Sequence, residues 1–431
     1  MPRIAFFDDD AALGLAPLTL LRPTFELVCG QHTLRERVLS DLSVDRWLAF
    51  VRPELEAVYQ ERHESTPVND VHALATEPTL LINGRWLASH TAIQKVASAP
   101  RDEVGLIGGV VTHLWLDPLE ANVLDLDSWD VGLAQVARRR RRVVASGSLA
   151  VHPWDLVNHN ATLLQSDFAA GGTDNDWTQP PAHAAVTGPP DAVRVHRSAR
   201  IDPFVVFDTH QGPVTVDADA SVQAFTRLEG PCYVGPGSQL FRANVRAGTS
   251  IGPVCRVGGE IESSIIHGFA NKYHDGFLGH SYVCPWVNLG ALTTNSDLKN
   301  DYSNVRVPLG GIPVDSGLTK VGCFIGDHTK TALGSLFNTG STIGVMCMVL
   351  PAGELLPKHI PSFSRIWHGE LDTELAIDQS LDTAAYVMQR RGHELTTAQR
   401  RLLVDLHRMT ADERKRAVDF QQQAAVRRVG Q

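Results

Sequence analysis

The sequence predicts an α/β domain followed by a three-sided β-solenoid and a helical C-terminal segment. Three observations predict it. Short apolar runs alternate with amphipathic stretches over residues 1–168; aliphatic residues then recur at a strict spacing of six over 191–366; and glycine and proline nearly vanish over most of 367–431.

In the first zone the apolar runs are Ile4-Ala-Phe-Phe, Thr79-Leu-Leu-Ile and Val104-Gly-Leu-Ile, and Leu34 to Phe50 has a helical pattern. Strands alternating with helices imply a largely parallel sheet. Five consecutive arginines, Arg138 to Arg142, read as a solvated helix end. Residues 169–190 are small, polar and rich in Pro and Gly, the composition of a linker.

The middle zone carries the strongest signal. Val195, Ile201 and Phe207, then Val216, Val222, Leu228, Val234 and Leu240, then Ile251 and Val257, keep the spacing of six. A second phase runs Ile325, Thr331, Phe337, Ile343, Val349, Leu355. Six matches neither the 3.6 period of a helix nor the 2 of a strand, but three hexapeptides make one turn of a triangular coil. Each aliphatic is expected to point inward. The glycines that follow many of them (Val234-Gly, Ile251-Gly, Ile343-Gly) are expected to let the backbone turn the corners. In the last zone, Leu371 to Met388 and Ala398 to Val429 read as two helices, with Gly392 and Thr396-Thr397 at the break.

Composition excludes several classes. A net charge of −9 argues against a nucleic-acid binder. No apolar run approaches the roughly 18 residues of a membrane span. The start runs into Asp8-Asp-Asp rather than a signal-peptide core. Six cysteines without CxxC spacing suggest neither zinc nor a disulfide framework, so reduced, cytoplasmic thiols are expected.

Between Ile261 and Gly326 the period breaks, and the break is dense in polar residues: Asn271-Lys-Tyr-His-Asp-Gly-Phe-Leu-Gly-His through Asn288-Leu-Gly-Ala to Asn295-Ser-Asp-Leu-Lys-Asn. Such residues inside a solenoid cost stability unless paired or used. The stretch resembles the acetyl-transfer site of the bifunctional glucosamine-1-phosphate acetyltransferase/N-acetylglucosamine-1-phosphate uridylyltransferase family. That pattern is a histidine, an aromatic three residues on, Leu-Gly, and an Asn opening Asn-x-Gly-Ala; here they are His274, Phe277, Leu278-Gly279 and Asn288.

The resemblance implies a left-handed parallel β-helix of the hexapeptide-repeat acyltransferase type. It implies His274 as general base, since histidine titrates near neutrality. Phe277, Asn288, Lys272 and Lys299 are the candidate acceptor contacts. Ser335 and Arg365 fall where the family meets the thioester and a phosphate of coenzyme A, so acetyl-CoA is the implied co-substrate. Glu262 and Phe277 replace a Lys and a Tyr of the family, so the usual acceptor, glucosamine 1-phosphate, does not follow. Lys272, Lys299, Lys320 and Lys330 suit a phosphate or pyrophosphate. His280 and His328 read as ordinary surface histidines.

Leu15-Ala-Pro-Leu-Thr-Leu-Leu-Arg-Pro-Thr resembles the sugar-nucleotidyltransferase signature, with Pro17, Leu18, Thr19, Arg22 and Pro23 in place. The Gly-Thr-Arg of its phosphate loop is Ala12-Leu-Gly14, and its lysine is Thr24. Arg22-Pro23, Glu26-Leu27 and Gly30…Thr33 resemble a variant group of sugar nucleotidyltransferases fused to a β-helix. Arg22, Thr19 and Glu26 are thus the candidate nucleotide or phosphate contacts. Arg85 stands where the family has a Mg²⁺-binding Asp, and Asn158 resembles the second metal position. Mg²⁺ needs oxygen ligands plus substrate phosphates.

The expected function is acyl transfer from a CoA thioester to a sugar phosphate or nucleotide sugar by a homotrimer, with a nucleotidyltransferase-like N-terminal domain. The alternatives are a nucleotidyltransferase joining a sugar 1-phosphate to an NTP, and an inactive trimeric scaffold.

Overall fold

The computed structural model describes residues 3–171, 176–372 and 375–429, with side chains to 423. The three apolar runs of the first zone become neighbours in one six-stranded sheet. Its order is Trp47–Phe50, Arg3–Phe7, Thr79–Asn83, Val110–Leu116, Glu103–Ile107, Arg141–Val144. The first three strands are parallel, while Val110–Leu116 runs against both its neighbours. The stretch expected as one helix from Leu34 to Phe50 splits. The helix Leu34–Leu42 opens on a Thr33/Glu36 capping box and closes on Ser43 in left-handed conformation (φ 49°), and Trp47–Phe50 is the edge strand. Its burial on both faces makes it apolar throughout, which a helical periodicity mimics over four residues.

The hexapeptide series forms a parallel β-helix of about ten turns, matching the expected architecture. Three interior rows stack coil on coil. The first is Val195, Val216, Val234, Ile251, Ile266, Val283, Ile325, Ile343, Ile360. The second begins Ile201, Val222, Leu240, Val257 and the third Phe207, Leu228, Val245, Ile261, Leu278. All these side chains are buried. In the second phase Leu355 is the exception: it is exposed, pairs with Leu336, and leaves the interior place to Leu356.

The glycines act differently from expectation. Those after the aliphatics lie where one coil meets the next: a Cβ on Gly252 would lie 2.0 Å from the carbonyl oxygen of His267, and one on Gly344 2.2 Å from the amide nitrogen of Ser362. The left-handed conformations fall instead at other positions, on Gly237, Gly248 and Gly334 and also on larger residues, including Val254, Phe269, Trp286, His328, Met346 and Phe363.

Residues 169–190 do not behave as a plain linker. The helix Pro153–Ala170 runs into them, residues 172–175 lie outside the described residues, and Trp177–Thr178 and Ala185–Thr187 pair with the first coil. In the polar break an excursion leaves the solenoid at Asp297 and returns at Val321, whose amide donates to the Asp297 carbonyl at 2.8 Å. It contains the hairpin Arg306–Leu309/Ile312–Asp315.

Among its described residues the C-terminal segment has three helices, Ile377–Gln389, Thr397–Met409 and Ala411–Val429, because the second expected helix breaks at Thr410. Leu381, Leu402 and Leu406 join a core with the solenoid corner residues Met346 and Phe363, and His393 lies edge-on to Phe269 and Trp286. The N-terminal domain covers the first side of the solenoid: Leu18, Leu27, Trp154 and Leu163 pack with Ile265, Tyr282 and Phe324. No helix among the described residues is long and apolar enough to cross a membrane.

Candidate active site

The second interior row is aliphatic until Val257, whose partner in the next coil is Lys272. Lys272 is 4% exposed. Its ammonium donates to the carbonyls of Gly258 (2.7 Å) and His274 (2.8 Å), and burial lowers its pKa to about 8. Lys272 thus fastens the turn that carries His274. The His274 ring is exposed and lies edge-on to Tyr273, with centroids 4.7 Å apart; Tyr273 leans on Phe241 at 4.1 Å.

Asn288 accepts from Asn271 Nδ2 at 2.6 Å. Its neighbours in an outward row along the second side are Asn271, Lys330, Met348 and Arg365. With strands about 4.8 Å apart, Asn288 and Arg365 are separated by roughly 14 Å. Burial lowers the Lys330 ammonium to about 8, and it donates to His328 O at 2.9 Å. Arg365 pairs with Asp372 at 2.8 Å and lies over Trp367.

The corner carrying His274 continues through Leu292, whose amide donates to Asp275 O, to Gly334, whose amide donates to Ala291 O. Ser335 follows there, buried, donating to Ala332 O at 2.8 Å. Phe277 lies half-buried on the adjoining third side, its amide donating to Thr294 Oγ1. The structure therefore places Asn288 and Arg365 on the second side, Phe277 on the third, and His274 and Ser335 at the corner between them, with Lys272 beneath. Lys299 stands apart on the excursion, held by Ser303 and the carbonyl of Asn304.

One pair escaped the sequence reading. His280 Nδ1 meets Asp297 Oδ2 at 2.7 Å, at the neck of the excursion. Burial pushes the Asp297 carboxyl up, but the hydrogen bond and charge of His280 together with the charge of Lys320 outweigh it and hold the group below its usual value. His280 is itself in left-handed conformation (φ 48°), which costs backbone energy for a residue with a Cβ. Beside it, Glu262 is bridged by Arg246 (2.5 Å) and Lys320 (3.3 Å). The available signal was the spacing: His280 and Asp297 are 17 residues apart, one coil of this solenoid.

The candidate nucleotide contacts lie elsewhere, between the N-terminal domain and the first side. Arg22 is buried and pairs with Asp327 of the solenoid; burial lowers its pKa, but the carboxylate more than restores it, to above the ordinary value. Thr19 is buried and donates to Ala12 O at 3.1 Å. Glu26 is buried between Arg35 Nε (2.5 Å) and Tyr59 Oη (2.6 Å), which hold it below the usual carboxylate range despite its burial.

The Mg²⁺ implied by the resemblance does not fit these residues. Arg85 fills its position with a buried guanidinium bound to Asp9 (2.7 Å) and Ala150 O (2.8 Å). Asn83 also donates to Asp9, and Asn158 is exposed on the helix Pro153–Ala170. Among the described residues no three His, Cys, Asp or Glu side chains converge.

Residues 4–174 match the family model described as sugar nucleotidyl transferase. A bifunctional sugar-1-phosphate nucleotidylyltransferase/acetyltransferase of Sulfurisphaera tokodaii is 31% identical over 33% of this chain and 36% of its own length. A bifunctional protein GlmU of Jannaschia sp. is 30% identical over 35% of this chain and 32% of its own. The chain thus spans about a third of the length of the curated relatives it matches. An Arabidopsis UDP-N-acetylglucosamine acyltransferase structure overlaps 53% of this chain and 89% of its own at 11% identity and a TM-score of 0.20, too slight a likeness to add to the fold described above. The chain is therefore similar to bifunctional nucleotidylyltransferase/acetyltransferases, and its residues 4–174 match the sugar nucleotidyl transferase family model.

Proposed function

We propose that the protein is a cytoplasmic acyltransferase that moves an acyl group from a CoA thioester to a hydroxyl or amine of a sugar phosphate or nucleotide sugar. The observation that supports this reading is the polar break, which carries His274, Phe277 and Asn288 in an acetyltransferase-like register around the corner where Ser335 also lies, with Arg365 farther along the second side. His274 takes the proton from the attacking group. The nucleophile adds to the thioester carbonyl, the C–S bond breaks, and the departing thiolate receives the proton. Asn288 and Phe277 contact the acceptor, with Lys299 reaching its phosphate from the excursion. Lys272 supports the acceptor site from beneath. Ser335 lies near the thioester and Arg365 meets a phosphate of coenzyme A. The working unit is a homotrimer.

A second reading of the base rests on one geometric fact. His280 is oriented by a carboxylate on Nδ1, the arrangement that fixes ring and tautomer in His–Asp pairs, whereas the His274 ring meets Tyr273 edge-on. Free-thiol release from acetyl-CoA, followed with a panel of sugar phosphates and nucleotide sugars, tests both. Loss of a general base costs about 10²–10⁴-fold in rate. His274→Ala is expected to fall by that factor, with His280→Ala and Asp297→Asn closer to wild type. The reverse order would transfer the base to His280, and a wild type that releases no thiol with any acceptor would end the acyltransferase reading.

A further inference from the structure

We infer that residues 17–31, which carry most of the stretch resembling the sugar-nucleotidyltransferase signature, serve in this chain as an intramolecular dock that fixes the N-terminal domain to the solenoid, and that this domain carries out no Mg²⁺-dependent nucleotidyl transfer. The inference does not rest on the acyl-transfer reading.

The first support is where the stretch spends its polar groups. Four contacts reach the first side of the solenoid on separate coils. Ser250 Oγ donates to Gly30 O at 2.7 Å, and His267 Nε2 lies 2.9 Å from Glu26 O. Tyr282 Oη accepts from the Val28 amide at 3.0 Å, and Arg22 Nη1 donates to Asp327 Oδ2 at 3.1 Å. Each group would have to break a buried bond before it could meet a ligand, leaving a buried partner unsatisfied.

The second support is charge. Three carboxylates whose side chains are buried beside this stretch are each paired with a guanidinium: Asp8 with Arg52 (2.5 Å), Asp9 with Arg85, Glu26 with Arg35. Thr24, where the resemblance has a phosphate-binding lysine, turns its amide and hydroxyl to Asp8 Oδ1 at 2.8 and 2.6 Å. Arg85 is a resident cation where a metal ligand belongs, and its fixed charge repels a divalent ion.

The third support is space. The cavity enclosed by Thr24, Cys29, Arg37, Gly84, Arg85 and Ala150 has a volume near 10 Å³. That is about one water, whereas ligand pockets occupy roughly 300–1,000 Å³.

The test uses the full-length chain. Thermal unfolding is followed with Mg²⁺ plus each of ATP, GTP, CTP, UTP and dTTP, and pyrophosphate release is assayed with a panel of sugar 1-phosphates. The expected result is an unmoved Tm and no pyrophosphate; a Mg²⁺-dependent rise in Tm, or turnover, overturns the inference. Arg22→Ala and Asp327→Ala are each expected to lower Tm, and the double variant to fall no further than the worse single; additive losses would show that the two residues are not coupled. Hydrogen exchange on the wild type needs no variant. Amides 17–31 are expected to exchange as slowly as those of 250–284, and fast exchange confined to 17–31 would show a free ligand loop.

Discussion

Lys272 shows what a single side chain contributes in this fold. A lysine in an aliphatic row disfavours folding while charged, and its two carbonyl contacts recover part of that loss by holding the His274 turn. The ammonium titrates near 8 in the folded chain against 10.5 in the open, so between those values the unfolded chain binds more protons and stability rises with pH. The difference in unfolding free energy between wild type and Lys272→Met is therefore expected to climb in favour of wild type from pH 8 to 10.5. A difference that stays flat across that window, measured by urea titration, would mean that Lys272 is not buried as described. The polar break and the His274, Phe277, Asn288 register were legible in the sequence because they are local in the chain. The partners of Lys272 and Asp297 were not, because the interior or exterior place of a side chain depends on which coil stacks on it. Lys272 reads as a ligand contact from sequence and as a brace for its neighbour's turn from structure.

Among the elements, the period of six marked members of all three interior rows as far as Val257, and it failed at Leu355 for a simple reason. The coil from Val349 to Leu356 holds an extra residue around Gly353 (φ 82°), which moves the interior place by one. The glycine pattern was visible too, but its cause lies in the contact between coils. Gly252→Ala sets a Cβ against backbone that cannot rotate away, and overpacking of this kind costs about 1–3 kcal/mol. The midpoint of urea unfolding should fall accordingly; an unchanged midpoint would show that the coils separate readily there. The stretch 169–190 misleads because its Pro and Gly content suits the first turn of a solenoid as well as it suits a tether. The helix boundary at Leu42 was missed because a buried edge strand follows it within five residues.

For the whole molecule, the sequence announced three zones but not how they meet, since the decisive contacts join residues as far apart as Arg22 and Asp327, separated by 305 positions. Breaking one partner of a buried pair typically costs 3–5 kcal/mol, on the order of half of a domain's net stability. The N-terminal domain occupies the first side of the triangular solenoid and the C-terminal helices an adjoining corner, so the proposed homotrimer is expected to use the second and third sides. Light scattering is expected to return three times the 47.0 kDa chain mass, and a stable monomer at micromolar concentration would remove the basis for a shared site. The covered side has a consequence for dividing the gene. Ile265, Tyr282 and Phe324 are apolar and face the N-terminal domain, and burial of each such side chain is worth about 1.5–3 kcal/mol. A polypeptide starting near residue 190 would present them to water and precipitate or recruit strangers. Co-produced with residues 1–170, it should instead reassemble into a nicked but soluble particle, two fragments complementing each other without a covalent joint.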